Sequence, residues 1–208
     1  MRKFGRCIAM LWAVAWFTGS AAAQAPAPPA QGAPPVADAT VVANPTYVSI
    51  PMEIMVNKPA AEVWKRIGKF CDIGEWFQIP CTITQGKDGE FGAVRSVANE
   101  VLVGKTELSY TYTQPVRAGR PYILYHGTLE ARPVTATTSK LVYTLVYDNS
   151  TLADDAARER DKTQRTTQFM RALQNMKTLA EGGTLPPPPP RGGGAPGGAP
   201  APGAGRAN

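Results

Sequence analysis

The sequence predicts an α+β fold in which one antiparallel sheet carries a long C-terminal helix across its face. Three observations predict it: an unbroken period-two alternation from Val48, a series of β-rich pieces divided by turn signals after Cys81, and apolar residues at helical spacing near the end, from Phe169 to Ala180. All three lie in the middle of the chain. The 208 residues include 20 Gly and 20 Pro, well above ordinary usage and gathered at the two ends. Residues 46–182 are therefore the part long enough and apolar enough to bury a core.

The first element places Val48, Ile50, Met52, Ile54 and Val56 on one side of a strand, and Tyr47, Ser49, Pro51, Glu53 and Met55 on the other. Pro51 has no N–H for a ladder bond, which predicts an edge strand or a bulge. Pro59 then marks a helix entrance, and Val63, Trp64, Ile67 and Phe70 follow as one apolar stripe. Strands are expected at 82–85, 93–98, 101–114 with an interruption at Gly104-Lys105, 122–132 and 140–148, with a turn at 86–89. Sequential hairpins of this kind imply an antiparallel meander. Thr151 and Asp154 are spaced as a capping box for a last helix reaching Glu181. Its first half is polar. Phe169, Leu173, Met176 and Ala180 give the second half the buried stripe, and Gly182-Gly183 stops it.

The ends carry other signals. Met1 to Ala23 joins a basic start (Arg2, Lys3, Arg6), an apolar run from Ile8 to Phe17 and a small-residue close, the three parts of a secretory signal peptide with cleavage near Ala23/Gln24. The apolar run is about half the length that crosses a bilayer. No stable membrane span is expected after cleavage, and the mature protein is expected to be periplasmic or secreted. Residues 24–45 read as an Ala/Pro-rich linker and 183–208 as a disordered Pro/Gly-rich tail. Within that tail Pro186 to Pro190 form a short polyproline II rod, a spacer or a docking point for a protein partner. The formal net charge is +6, but the terminal segments hold most of it and the central part carries about +2. That leaves no basic field for nucleic acid.

The order of elements, with KPAAEVW at 58–64, FCDIGEWFQIPC at 70–81, FGAVRSV at 91–97, TELSYTY at 106–112 and QFMRALQNMKTLAEG at 168–182, resembles the START-like or SRPBCC superfamily of polyketide cyclase/dehydrase and birch-pollen-allergen-like proteins, of an exported bacterial type. The resemblance covers residues 46 to 182. It implies a helix-grip fold, a strongly curved antiparallel sheet wrapped around the C-terminal helix. It also implies an apolar cavity between sheet and helix that accepts lipids, sterols, polyketides or aromatic compounds.

Candidate site residues follow. Cys71 and Cys81 are the cysteines that remain after cleavage, in an oxidising compartment, and predict a structural disulfide, with a catalytic thiol as the alternative. A zinc site is not expected, because the lone His126 cannot complete the ligand set, and no cofactor is expected either. Trp76 and Phe77 lie where the resembling proteins often carry Trp followed by His-Pro or Phe-Pro. They read either as an aromatic gate on the ligand or as rings that seat a small helix on the sheet.

Arg95 and Glu107 are candidate catalytic partners, since a strand arginine in a cavity protein needs a carboxylate and one on a neighbouring strand can supply it. The resemblance to lachrymatory-factor-synthase-like plant proteins implies proton transfer for such a pair. His126 is a further candidate acid or base. Tyr110, Tyr112 and Tyr125 could orient a polar ligand end, and Phe169, Met170 and Leu173 could line a cavity, although cross-strand and core packing account for the same residues. The expected function is an exported binding protein for a hydrophobic small molecule. The alternatives are a cofactor-free cyclase, dehydratase or isomerase using Arg95 and Glu107, and an envelope interaction module acting through the tail.

Overall fold

The computed structural model describes residues 42, 44–117 and 119–188. The expected signal peptide lies outside the described residues, as do most of the linker and of the tail. Strand β1 (Tyr47–Val56) leads into helices α1 (Ala60–Ile67) and α2 (Ile73–Trp76). Six strands follow: β2 (Ile83–Gln85), β3 (Val94–Arg95), β4 (Glu100–Lys105), β5 (Ser109–Thr113), β6 (Ile123–Pro133) and β7 (Ser139–Asp148). Helix α3 (Asp155–Ala180) completes the order. All seven strands form one curved sheet in the order β1-β7-β6-β5-β4-β3-β2, with antiparallel pairing throughout.

β1 is an edge strand, as Pro51 requires. It pairs with β7 in unbroken register from Tyr47↔Asp148 to Val56↔Ser139. Pro59 caps α1, whose buried residues are Ala60, Val63 and Ile67; Phe70 is buried beyond the helix, in the turn that follows it. The interruption expected at Gly104-Lys105 is a register shift within the β4–β5 pairing, while the chain reverses at 106–108. The cap of α3 is Asp154, whose Oδ1 accepts from Ala157 N at 2.7 Å, rather than Thr151.

The inner face of the sheet is built by alternation: Ile50 and Met52 on β1, Leu141, Tyr143, Leu145 and Tyr147 on β7, Tyr125 and Leu129 on β6, and Tyr110 and Tyr112 on β5. Against it α3 buries Phe169, Ala172, Leu173, Met176 and Leu179, all in its second half. The ordered chain continues past the expected boundary at 182. Leu185 packs against the core and the Pro186 carbonyl accepts from Gln78 Nε2 at 2.7 Å.

Gly127 shows how tightly this face is filled. A Cβ there would lie 2.4 Å from the ring and hydroxyl of Tyr112, whose hydroxyl shares a 2.9 Å hydrogen bond with that of Tyr143. Gly127→Ala is expected to push Tyr112 off that bond and cost about 1–3 kcal/mol, the usual range for overpacking. Urea unfolding of the variant measures it, and a change below about 0.5 kcal/mol would mean that the ring has room to shift.

Candidate functional site

The first half of α3 is polar because it covers a cavity. Between that half, the segment 73–79, the β3–β4 turn and the loop from β5 to β6 lies a space of about 480 Å³. Phe77, Tyr112, Tyr122, Tyr125 and Phe169 give it aromatic walls, and Ile73, Ile79 and Val97 add aliphatic surface. Its polar lining comes from Glu100, Gln114, Arg117, Arg120, Asp161, Gln164, Arg165 and Gln168. The volume falls in the range of small-molecule sites, and the lining joins aromatic and aliphatic surface to a larger share of polar groups than such sites usually carry.

Behind this cavity sits a buried ion pair. The β3–β4 hairpin places Arg95 opposite Glu100. Arg95 is wholly buried, and its Nε donates to Glu100 Oε2 at 2.6 Å. Its Nη1 donates to the Phe70 carbonyl at 2.5 Å, and Nη2 approaches the same Glu100 oxygen to 2.5 Å off the hydrogen-bond axis. The guanidinium also lies over the rings of Phe70 and Tyr112, at 4.3 and 4.6 Å. Burial opposes the Arg95 charge, but the Tyr110 hydroxyl and the Glu100 carboxylate outweigh it, so the group stays protonated. Burial lifts the Glu100 carboxyl above the ordinary range against the pull of Arg95 and Gln114. Glu100 is thus the member of the pair able to take up a proton, and it faces the cavity. Gln114 links it outward: Nε2 donates to Glu100 Oε1 at 2.8 Å while Oε1 accepts from the Tyr122 hydroxyl at 2.9 Å.

A second cluster closes the opposite wall. Arg165 Nε donates to Asp161 at 3.0 Å, the Tyr147 hydroxyl donates to the same carboxylate at 2.6 Å, and the guanidinium lies 4.4 Å from the Tyr122 ring centre and 4.6 Å from that of Tyr147. Its charge is paired with Asp161 through Nε and stacked on the tyrosine rings.

The segment 71–81 is pinned by the predicted disulfide, Cys71–Cys81, with Cα atoms 5.7 Å apart. A two-pronged bond from Arg66 to Glu75, at 2.6 and 2.7 Å, ties α2 to α1, and Asn175 Nδ2 donates to the Trp76 carbonyl at 2.8 Å from α3. Trp76 and Phe77 divide the two roles offered for them. Trp76 is wholly buried and seats α2 on the core beside Tyr143, whereas Phe77 lines the cavity and packs edge-on against Phe169.

Several expected site residues fall elsewhere. Glu107 is exposed in the β4–β5 turn, so the Arg95–Glu107 pair does not form; the carboxylate that meets Arg95 is Glu100, from the adjacent hairpin strand. His126 lies on the outer face of β6, opposite Thr113 and Val146, with Nδ1 2.8 Å from the carbonyl of Leu124, two residues before it. Met170 is 37% exposed on the outer side of α3, while Leu173 and Tyr110 are core residues outside the cavity lining. Tyr112, Tyr125 and Phe169 do line it. Asp161, Arg165, Gln114, Arg117 and Arg120 were not anticipated; the polar face of the α3 first half was the available signal for the first two.

Comparison with solved structures places this architecture. Protein XoxI from Bacillus cereus is similar at 21% identity and a TM-score of 0.52, over 62% of this chain and 93% of that one. A protein from Nitrosospira multiformis is similar at 22% identity and a TM-score of 0.50, over 64% and 96%. The di-domain ARO/CYC protein BexL of the BE-7585A biosynthetic pathway is similar at 18% identity and a TM-score of 0.50, over 64% of this chain and 46% of that one. The chain has the helix-grip fold. The likeness to SRPBCC and polyketide-cyclase-like proteins is one of architecture, with α3 as the gripped helix and the cavity beside its N-terminal half. No protein-family model matches the chain, and no curated protein sequence matches it.

Proposed function

We propose that this helix-grip protein is an exported carrier or sensor that holds a hydrophobic small molecule reversibly. The cavity of about 480 Å³, with aromatic walls and polar groups set among them, carries the reading. Each methylene it takes from water contributes about 0.8 kcal/mol, enough for useful affinity from a modest ligand. The disulfide supports export, since such bonds persist in oxidising compartments. Among the described residues no helix is long and apolar enough to cross a membrane.

Native mass spectrometry of the protein purified from its host's envelope fraction tests the proposal. A non-covalent mass of a few hundred daltons, on the scale of ligands for such cavities, is expected and should vanish on denaturation. A bare protein mass, together with no retention of apolar probes added at saturating concentration, would overturn it.

One observation favours a second reading, a cofactor-free cyclase, dehydratase or isomerase. Glu100 is a buried carboxyl with a raised pKa, turned to the cavity and backed by a fixed positive charge. That is the setting in which a carboxyl exchanges protons with a bound substrate near neutral pH. The molecule recovered by mass spectrometry separates the readings. A carrier returns it unchanged after incubation, while an enzyme converts it and loses that conversion in Glu100→Gln, compared at equal ligand occupancy under conditions where the variant remains folded.

A further inference from the structure

The cavity has more positive charge around it than its own carboxylates neutralise, and the surplus is concentrated in one turn. Glu100 is held by Arg95, and Asp161 by Arg165 and Tyr147. Arg117 and Arg120 remain. Both line the cavity, and among the described residues neither lies within 4.0 Å of a carboxylate. They rise from a single turn of the loop joining β5 to β6, where Arg120 N donates to the Arg117 carbonyl at 3.3 Å. Arg117 is braced, its Nη2 donating to the Ala98 carbonyl at 2.6 Å, and its remaining donors are left for another acceptor. Two guanidinium groups that line an aromatic-walled cavity from one turn of a loop offer it unpaired N–H donors, and Arg binds oxyanions through paired N–H donors.

Resting on the binding function proposed above, we infer that the ligand is an amphiphilic acid. Its apolar or aromatic body lies against Phe77, Tyr125 and Phe169, and its carboxylate or similar oxyanion is held by Arg117 and Arg120. The arrangement selects by charge as well as by shape. A neutral molecule of the same size fills the walls but leaves the two arginines unpaired, whereas an acid satisfies both. A cationic amphiphile is rejected by the same two groups.

Two fluorescent probes that differ by one acidic group test this on the full chain. Anilinonaphthalene sulfonate carries an apolar aromatic body and a sulfonate; N-phenylnaphthylamine is the same body without it. The wild type is expected to bind both, the sulfonate more tightly, and only the sulfonate should weaken with added salt. In the double variant Arg117→Gln/Arg120→Gln the sulfonate is expected to bind about tenfold or more weakly, the loss of one good charged contact, with the neutral probe within about twofold. Unchanged sulfonate binding beside normal neutral-probe binding overturns the acid site and leaves the cavity reading standing. Parallel weakening of both probes also overturns it, since the arginines would then hold the loop rather than the head group. Binding of neither probe by the wild type would remove the cavity function itself.

Discussion

Glu100→Gln is expected to cost about 3–5 kcal/mol of stability, because it strands a buried guanidinium that cannot shed its charge. Arg95 has no solvent exposure and reaches no other carboxylate among the described residues. Glutamine keeps the shape of the side chain and supplies no counter-charge. Arg95→Met leaves the opposite problem, and a milder one. The carboxyl that remains is already lifted by burial and takes up a proton where arginine cannot release one.

The two variants therefore differ in their response to pH. With Arg95 gone, the folded pKa of Glu100 stands further above its unfolded value. Its contribution to stability is full below the unfolded value and is lost as pH rises through the folded one. Arg95→Met should approach the wild type in acid and fall away towards neutral pH, while Glu100→Gln, with no carboxyl left to titrate at this position, shows none of that pH dependence. Removing both charges in Arg95→Met/Glu100→Leu is expected to recover most of the loss, as replacement of buried ion pairs by apolar groups commonly does. Urea unfolding across the pH range checks all three. Equal and pH-independent losses in the two single variants would show that the pair contributes packing rather than charge.

The same pair shows where the sequence was readable and where it was not. Period-two alternation in Val48 to Val56, the proline at Pro59 and the helical spacing of Phe169, Leu173 and Met176 reveal the elements because each reports local backbone geometry. The need of Arg95 for a carboxylate was equally legible. Its address was not, because pairing depends on where a hairpin turns. Ala98 and Asn99 both adopt positive φ, which reverses the chain within four residues and sets Glu100 directly across from Arg95. With residues 93–98 read as continuous strand, Glu100 falls between strands instead of opposite Arg95, and Glu107 is left as the acid on a neighbouring strand.

His126 fails for a related reason. The irregular pairing between Ile123 and His126, with Leu124 at positive φ, fixes which side of β6 faces inward, and alternation alone leaves both sides open. Asp161 and Arg165 were hidden differently. Four residues apart on a polar helix face, they look like an ordinary solvated pair until Tyr125 and Tyr147 of the sheet, and Tyr122 just before β6, come to lie beside the arginine.

Removal of the disulfide in Cys71→Ser/Cys81→Ser is expected to destabilise the protein by about 3 kcal/mol, the chain-entropy value for so short a loop. The effect should not stop at global stability, because the closed loop carries Ile73, Phe77 and Ile79, one wall of the cavity. Without the bond, that wall is fastened by the packing of Trp76, the Asn175 hydrogen bond and the Arg66–Glu75 fork. Both side chains of the fork are more than a third exposed, and such pairs contribute at most about 1 kcal/mol. The segment should therefore open locally at lower free energy than the rest of the fold. Stopped-flow dissociation of N-phenylnaphthylamine should be faster from the variant, at a temperature where both proteins remain folded. A lowered urea midpoint with an unchanged dissociation rate would mean that ligands leave past the loop bearing Arg117 and Arg120 instead. That outcome would make the arginine pair the gate as well as the anchor.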